Sequence, residues 1–245
     1  MTDIERLAAV LKASRRLVVF TGAGISVPSG IPDFRSADGL YNRDSGLKIR
    51  PEQIISRSFF DRDPASFYEF YRSAMLYPDA KPNKAHLFFA DLEKDGRNVA
   101  VVTQNIDGLH QAAGSKRVFE LHGSVKRNLC MNCGAKYGLD AVLTKEAVPH
   151  CPRCGGIVKP DVVLYEEPLD MSVVQGAVDA IEHADTLVVV GTSLVVYPAA
   201  SYLRYFRGGN LILINKSATD YDAQADLAFH RDVVEVVKEL EQLGV

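Results

Sequence analysis

All four cysteines of the 245-residue chain fall in two Cys-x-x-Cys pairs. Cys130 and Cys133 form the first pair, Cys151 and Cys154 form the second, and a glycine follows each pair. Two tight turns with this spacing present four thiolates to one ion, which is the ligand set of a tetrahedral zinc site. Because four protein ligands leave no open coordination position, we predict one structural Zn2+. Disulfides or a dithiol redox centre are the alternatives, but a redox pair normally lies at the start of a helix.

A histidine shortly before the first cysteine pair is a candidate general base. His122 is followed by Gly123 and precedes the cysteine-rich stretch by only a few residues. A neutral imidazole titrates close to working pH, so it can take a proton from a hydroxyl group. The remaining five histidines are expected to be surface or packing residues: His86, His110, His150, His183 and His230.

A glycine-rich turn follows the first apolar run of the chain. Residues 21–26 read Thr-Gly-Ala-Gly-Ile-Ser after the run at 17–20. Glycines in such a turn let the backbone approach a pyrophosphate at a helix N-terminus. The full dinucleotide pattern is missing, because Val27 stands where its third glycine would fall. A turn that needs glycine only for its own backbone geometry therefore remains open.

Short apolar runs alternate with helical stretches along most of the chain. The runs lie at 17–20, 99–103, 186–190 and 211–214, and each ends in small or polar residues. The helical stretches reach from the N-terminus to about residue 14 and recur at 63–76, 83–95, 170–183, 198–206 and 233–243. This alternation predicts an α/β fold with a doubly wound parallel, Rossmann-like sheet that binds its ligands at the carboxyl ends of the strands.

The region 124–160 interrupts this alternation, since it holds the cysteines and lacks a long apolar run. We predict a small zinc-ribbon insert domain there, with a core too small to fold without its metal. The nucleotide-binding domain would then comprise residues 1–123 and 161–245.

Charge and hydropathy argue against several kinds of partner. The 28 basic and 31 acidic residues give a net charge of −3, which offers no attraction to nucleic acid. The N-terminus lacks the basic and apolar regions of a secretory signal, and no apolar run is long enough to cross a membrane. We therefore expect a cytoplasmic protein without nucleic-acid or membrane partners, in which reduced cysteine pairs favour zinc over disulfides.

Together these motifs resemble the sirtuins, the NAD-dependent protein-lysine deacylases. The matching segments occur in the family's order and span nearly the whole chain: 22–26, 30–35, 103–107, 122–123, the four cysteines, 191–194 and 214–215. The resemblance implies that NAD is consumed as a co-substrate and that acetylated proteins or peptides are the second substrate. The acetyl group is then transferred to ADP-ribose, and nicotinamide is released.

The resemblance also implies roles for individual residues. Asp107, with the Ile106 backbone, would hold the nicotinamide carboxamide, and Gln104 and Asn105 would reach the ribose and an ordered water. His122, Asn105 and Asp107 would be the catalytic residues. The other residues implied to bind NAD are Gly22, Ala23, Gly24, Ser26, Val27, Asp33, Phe34, Arg35, Gly191, Thr192, Ser193, Asn215, Lys216, Asp232 and Val233. For Asp232 a helix N-cap is an equally good interpretation.

Two apolar segments are expected to bind the peptide. They comprise Val162, Val163, Leu164 and Tyr165 on one side of a cleft, and Leu194 and Val195 on the other. A peptide inserted between them would add a strand and bind through main-chain hydrogen bonds. Ordinary strand ends are the alternative interpretation of both segments.

The acyl group itself is expected to be apolar. Relatives that remove acidic acyl groups carry a Tyr-x-x-Arg pair, and here Tyr68 is followed by Tyr71 at the arginine position. Arg72 is displaced by one residue, about 100° around a helix. Acetyl or longer apolar acyl groups are therefore favoured over acidic ones.

Other functions compatible with these motifs are protein mono-ADP-ribosyl transfer and a non-enzymatic zinc-ribbon module on a nucleotide fold. A dehydrogenase is disfavoured, because the acidic residue that usually meets the adenine ribose after the second strand is not evident.

Overall fold

The computed structural model describes residues 1–34, 39, 49–94 and 96–245. A six-stranded sheet organises the larger lobe, in the order β3-β2-β1-β7-β8-β9, and every pairing in it is parallel. Its strands are β1 Arg16–Thr21, β2 Asn98–Thr103, β3 Val118–Glu120, β7 Thr186–Val190, β8 Asn210–Ile214 and β9 Leu227–Phe229. The chain runs outward in opposite directions from β1 and β7, so the edge between these two strands is the topological switch point.

Side chains of the central strands are buried on both faces, which explains their continuous apolar runs. Val19 packs on one face with the helices α1 Asp3–Ala13, α5 Lys84–Lys94 and α8 Val233–Gln242. Phe20 packs on the other face with α7 Met171–Glu182 and the short 3-10 helix Ala199–Tyr205. Helices therefore cover both faces, and the predicted doubly wound α/β fold is confirmed.

A three-stranded antiparallel sheet organises the smaller lobe. Its order is β5-β4-β6, with β4 Gly123–Cys130, β5 Lys136–Tyr137 and β6 Val158–Val162. One apolar cluster joins this sheet to a helical segment that precedes it by many residues, since Phe60 and Phe67 pack with Val125 and Val162. The helices of that segment are α2 Pro51–Ile54, α3 Arg57–Arg62 and α4 Pro64–Phe70, which continues as a π-helical turn at Tyr71–Met75. The predicted domain limits at 124 and 160 remain a prediction.

Several short elements differ from the sequence-based expectation. The helix expected at 63–76 is a short α-helix followed by a π turn, and the helix expected at 198–206 is a 3-10 helix. The elements β3, β9 and α6 Leu109–Ala113 are too short to produce a periodic pattern in the sequence. Within the described ranges, no helix is both long and apolar enough to span a bilayer.

Candidate active site

Two loops cross at the switch point of the sheet. The Gly22 amide donates to the Val190 carbonyl oxygen at 3.0 Å, and the Gly24 amide donates to that of Gly191 at 2.8 Å. Gly191 has φ +59°, and a Cβ there would lie 2.4 Å from the Ile25 nitrogen. The glycines are therefore needed because two backbones meet, a requirement beyond the geometry of either turn.

A cavity of about 800 Å³ opens beside this crossing and extends between the two lobes. Most of the residues predicted from the sequence line it. At the sheet edge these are Gly22, Ala23, Gly24, Ser26, Val27, Gln104, Asn105, Ile106, Asp107, Gly191, Thr192 and Ser193. Around the remainder they are Asp33, Phe34, His122, Val162, Val163, Leu164, Tyr165, Asn215, Lys216, Asp232 and Val233. Arg35 lies outside the described residues.

The loop that follows β2 is held from several sides. The Gln104 side-chain amide donates to Thr192 Oγ1 at 3.0 Å. Asn105 Nδ2 donates to the Gly22 carbonyl oxygen and to Ser26 Oγ, each at 3.1 Å. The loops after β1, β2 and β7 are thus connected by side-chain hydrogen bonds at the floor of the cavity.

Asp107 lies at the end of this loop. Its carboxylate accepts hydrogen bonds from Ser26 Oγ at 2.7 Å and from the Leu109 amide at 2.8 Å. Burial raises the pKa of Asp107, and these two hydrogen bonds oppose the increase. The carboxyl group is therefore half-buried and oriented by its neighbours.

His122 is oriented as a proton acceptor. Its Nδ1 lies 3.0 Å from the Gln104 carbonyl oxygen, and because a carbonyl only accepts, Nδ1 carries the proton. Nε2 of the neutral ring therefore carries a lone pair. Burial lowers the pKa of His122, and the hydrogen bond to Gln104 partly opposes this. His122 is thus kept neutral and tautomerically fixed at the cavity wall.

The turn that carries His122 is fixed by the residue that follows it. Gly123 has φ +74°, and a Cβ at this position would lie 2.0 Å from the Asp161 carbonyl oxygen. The Val163 amide donates to the His122 carbonyl oxygen at 3.0 Å. The small lobe therefore holds the histidine backbone directly.

An ion pair between Lys216 and Asp232 lies at another part of the cavity wall. Lys216 Nζ is 2.9 Å from Asp232 Oδ2, and Asp232 Oδ1 accepts from the Val234 amide at 2.8 Å. Asp232 is therefore the N-cap of α8, as one of the two interpretations of the sequence expected. It also lines the cavity, so capping and contact with a ligand are compatible.

The four cysteines lie together at one end of the small lobe, with all four Sγ atoms within 4.8 Å of one another. The Cys130–Cys154 and Cys133–Cys151 sulfur distances are 3.4 and 3.7 Å. These are too long for disulfides, which measure about 2.05 Å, and they are close to the roughly 3.8 Å expected between ligands of a tetrahedral Zn(Cys)4 site. The donor set fits one structural zinc, as predicted.

Two matching turns present these thiolates. Gly134 and Gly155 have φ +67° and +73°, and their amides donate back to the carbonyl oxygens of Cys130 and Cys151. The Tyr137 hydroxyl lies 2.9 Å from Cys151 Sγ, and since a thiolate accepts, the phenol donates. This hydrogen bond lowers the pKa of Cys151, which favours the metal-binding form.

The segments predicted to bind peptide differ in their surroundings. Tyr165 already pairs with the small lobe, because its amide donates to the Ile55 carbonyl oxygen and its carbonyl oxygen accepts from the Arg57 amide. Leu194 has φ +56° and is buried in the core, whereas Val195 is half exposed. Neither Leu194 nor Val195 is among the cavity-lining residues of the described structure.

Sequence reasoning missed the apolar wall of the cavity. Tyr68 is buried, and its hydroxyl donates to the Val158 carbonyl oxygen. The Arg72 guanidinium donates to the Val142 carbonyl oxygen at 2.7 Å. Within the described residues, the lining of the cavity from this segment starts one turn later, at Ala74. The apolar lining contributed by the small lobe and its neighbours comprises Ile31, Ile55, Ala74, Met75, Leu76, Val125 and Leu139.

The Sir2 family model matches residues 22–198 of the chain. A protein named NAD-dependent protein deacetylase from Clostridium perfringens (strain 13 / Type A) is 56% identical over 235 residues, covering 96% of both chains. A solved structure described as Sir2-p53 peptide-NAD+ is 39% identical, with a TM-score of 0.86 over 100% of this chain and 99% of that chain. A Sir2 variant with deacetylated p53 peptide and 3'-O-acetyl ADP ribose is 38% identical, with a TM-score of 0.89 over 99% of both chains.

Proposed function

Because the chain belongs to the Sir2 family, we propose that it is an NAD-dependent protein-lysine deacetylase. The reaction transfers the acetyl group of an acetyl-lysine to ADP-ribose and releases nicotinamide and O-acetyl-ADP-ribose. The observation that carries this proposal is a single cavity that joins the glycine crossing, His122 and an apolar wall. One cavity can bring a nucleotide and a modified lysine together.

NAD supplies an electrophilic ribose carbon that carries a good leaving group. We infer that the backbones of the crossing at Gly22, Gly24 and Gly191 accommodate its pyrophosphate, because all three glycines line the cavity at the carboxyl ends of the strands. Asp107 and Ile106 would orient the carboxamide of the nicotinamide ring from the cavity floor. Phe34, which packs against the small-lobe core, would cover the sugar and limit attack by water.

His122 would act as the general base. Its Nε2 lone pair is available because Nδ1 donates to Gln104, and it can accept the proton of a ribose hydroxyl. Its lowered pKa keeps the imidazole neutral at pH 7. The hydroxyl oxygen would then become nucleophilic enough to take over the acyl group.

The other predicted residues would hold the remainder of the cofactor and the peptide. Thr192, Ser193 and Asn215 offer polar groups for phosphate and ribose, and Lys216, Asp232 and Val233 lie at the adenosine end. Val163 and Leu164 on one side and the exposed Val195 on the other would flank the peptide. Zinc would brace the small lobe without taking part in the chemistry. Four reduced thiols of this kind support a cytoplasmic location.

The apolar wall favours acetyl and also longer apolar acyl groups. Ile55, Ala74 and Leu139 line it, and an acyl carboxylate placed against these side chains would lose its hydration. Deacylation of longer apolar acyl-lysines is therefore a second candidate activity at the same site.

Mass spectrometry of the products tests the proposal. Wild-type protein with NAD and an acetyl-lysine peptide should yield deacetylated peptide, nicotinamide and O-acetyl-ADP-ribose. The His122→Ala variant should lose this activity, whereas His183→Ala, at the exposed C-cap of α7, should retain it. ADP-ribosylated protein instead of O-acetyl-ADP-ribose would identify a transferase, and full activity of His122→Ala would refute the proposed base.

A further inference from the structure

Two buried imidazoles lie behind the cavity and take no part in the mechanism described above. His86 on α5 and His110 on α6 are 0% and 1% exposed, and their ring centroids are 4.9 Å apart at an inclination of 61°. Burial lowers the pKa of His86 to about 4, and burial together with His86 lowers that of His110 to about 3. Both rings are therefore neutral at pH 7, and each has one N–H group and one lone pair.

His110 is connected to the loop that follows β2. Its Nε2 lies 3.0 Å from Thr21 Oγ1, at the end of β1. The Thr21 hydroxyl donates to Thr103 Oγ1 at 2.8 Å, and Thr103 Oγ1 accepts from the Asn105 amide at 3.0 Å. Thr21 and Thr103 are buried, so this chain of hydrogen bonds runs through the interior and ends on a proposed catalytic residue.

His86 is connected to the loop that follows β1. The Asn83 amide lies 3.4 Å from His86 Nδ1. The Asn83 side chain donates to the Ile25 carbonyl oxygen at 2.8 Å and to Ser29 Oγ at 2.9 Å. The histidine pair thus lies between anchors on both loops.

These contacts determine the tautomers. A backbone amide only donates, so His86 Nδ1 is an acceptor and its proton is on Nε2. The Thr21 hydroxyl proton is used on Thr103, so His110 Nε2 must donate and its lone pair is on Nδ1. The two remaining ring nitrogens, His86 Nε2 and His110 Nδ1, are both buried, and neither has a hydrogen-bond partner among the described residues. In these tautomers His86 Nε2 carries a proton and His110 Nδ1 carries a lone pair.

We propose that His86 and His110 are positioning residues, a tautomer-locked pair whose ring contact couples the loops after β1 and β2. The coupling holds Gln104 and Asn105 in register with the glycine crossing, so the role rests on the proposed function of those loops. Low local polarity strengthens the buried chain of hydrogen bonds that runs from His110 through Thr21 and Thr103 to the Asn105 amide. An apolar replacement can therefore preserve the fold while the loops lose their relative position.

Nitrogen-15 NMR of the wild-type protein at pH 7 tests the tautomers without any substitution. Long-range imidazole correlations should assign the Nε2–H form to both His86 and His110. A His110 ring with its proton on Nδ1, or either ring doubly protonated, would overturn the proposal. The measurement needs no turnover, so its outcome is separate from that of the deacetylase assay.

A double-mutant cycle on His110→Phe and Thr21→Val tests the coupling. Calorimetric titration with NAD should show affinity reduced about tenfold by each change, the effect of roughly one buried hydrogen bond. The double variant should lose no more NAD affinity than the weaker-binding single variant does, because both changes interrupt the same chain of hydrogen bonds. His183→Phe, at an exposed histidine, is the matched control and should bind NAD as the wild type does.

If the fold-losses in NAD affinity of the two single variants multiply in the double variant, the coupling is refuted. Wild-type NAD affinity in His110→Phe would refute it as well. Far-UV circular dichroism and thermal unfolding of each variant show whether the fold is retained. A His110→Phe protein that does not fold leaves the decision to the NMR measurement. Wild-type protein that binds NAD but forms no deacetylated peptide would refute the proposed function and leave the histidine pair testable by the same titration.

Discussion

Gly191→Ala tests whether the loop crossing at the switch point shapes the cavity. A Cβ at Gly191 would lie 2.4 Å from the Ile25 nitrogen and 2.6 Å from the Gly24 carbonyl carbon. Ordinary contacts between such atoms are about 3.5 Å, so the two loops must separate by roughly 1 Å. The φ of +59° adds strain of about 1–2 kcal/mol for a residue with a side chain. Together with an overpacking cost of about 1–3 kcal/mol, we expect a loss of about 2–5 kcal/mol in stability.

Catalysis should be affected more strongly than stability alone predicts. A displacement of about 1 Å in positioning groups can reduce a rate by about 100-fold, so kcat/KM for NAD should fall by about that factor. Urea unfolding gives the stability change, and steady-state kinetics with NAD and acetylated peptide gives the catalytic change. The KM for peptide should change less, because the crossing is not part of the apolar wall.

Three other glycines separate backbone strain from crowding as the cause of the expected loss. Gly96 has φ +83° with nothing within 4 Å of its Cβ position, so Gly96→Ala carries strain alone. A Cβ at Gly24 would lie 2.7 Å from Gly191 Cα without a positive φ, so Gly24→Ala carries crowding alone. Gly209 has neither feature, and Gly209→Ala should be nearly neutral. If Gly191→Ala changes stability and kcat/KM no more than Gly96→Ala does, crowding at the crossing has no role.

Three further outcomes follow from the site. Burial lowers the pKa of His122 from its ordinary value of 6.5, and the imidazole acts as a base only when it is neutral. The fall in kcat/KM on the acid side of the pH profile should therefore lie below pH 6.5. A fall at or above pH 6.5 would contradict His122 as the base. Burial raises the pKa of Asp107 in the folded state, so its contribution to stability is present at low pH and is lost as the pH rises through that pKa. Asp107→Asn should therefore raise the melting temperature at pH 7 while activity falls by about 100-fold or more, and a lower melting temperature would refute this. Ile55, Ala74 and Leu139 form an apolar wall, and Tyr71 stands at the arginine position of relatives that remove acidic acyl groups, so acetyl-lysine peptides should be turned over at least about tenfold faster than succinyl-lysine peptides. Equal rates by mass spectrometry would show the wall to be misassigned.

The features predictable from sequence are those with a local chemical signature. The spacing of Cys130, Cys133, Cys151 and Cys154 determines how two turns can present thiolates, so the metal site followed without knowledge of the fold. Buried parallel strands produce continuous apolar runs, so the sheet and its polar edge could also be predicted. His122 was singled out because it combines a titratable ring with a neighbouring glycine; the structure places it on the cavity wall, and its role as the base stays a prediction.

The features that escaped prediction depend on contacts between distant segments. Ala74 lines the cavity from within the π turn at Tyr71–Met75, and no residue pattern marks that turn. The sequence matched Tyr68 to a motif position but did not show its partner, the Val158 carbonyl oxygen within the small-lobe core. His110 was expected to pack or to face solvent, and its bond to Thr21 becomes visible only when α6 is placed beside β1.

The shared core of the small lobe has a consequence for biosynthesis. Phe59, Phe60 and Phe67 leave the ribosome well before the strand residues Val125 and Val162 that cover them. At about 5–20 residues per second, this group of aromatic side chains waits several seconds for its partners. Until Cys154 has been synthesised, the nascent chain exposes these apolar side chains and lacks the fourth thiol of the zinc site. A translational pause inside this window would make the growing polypeptide dependent on chaperones.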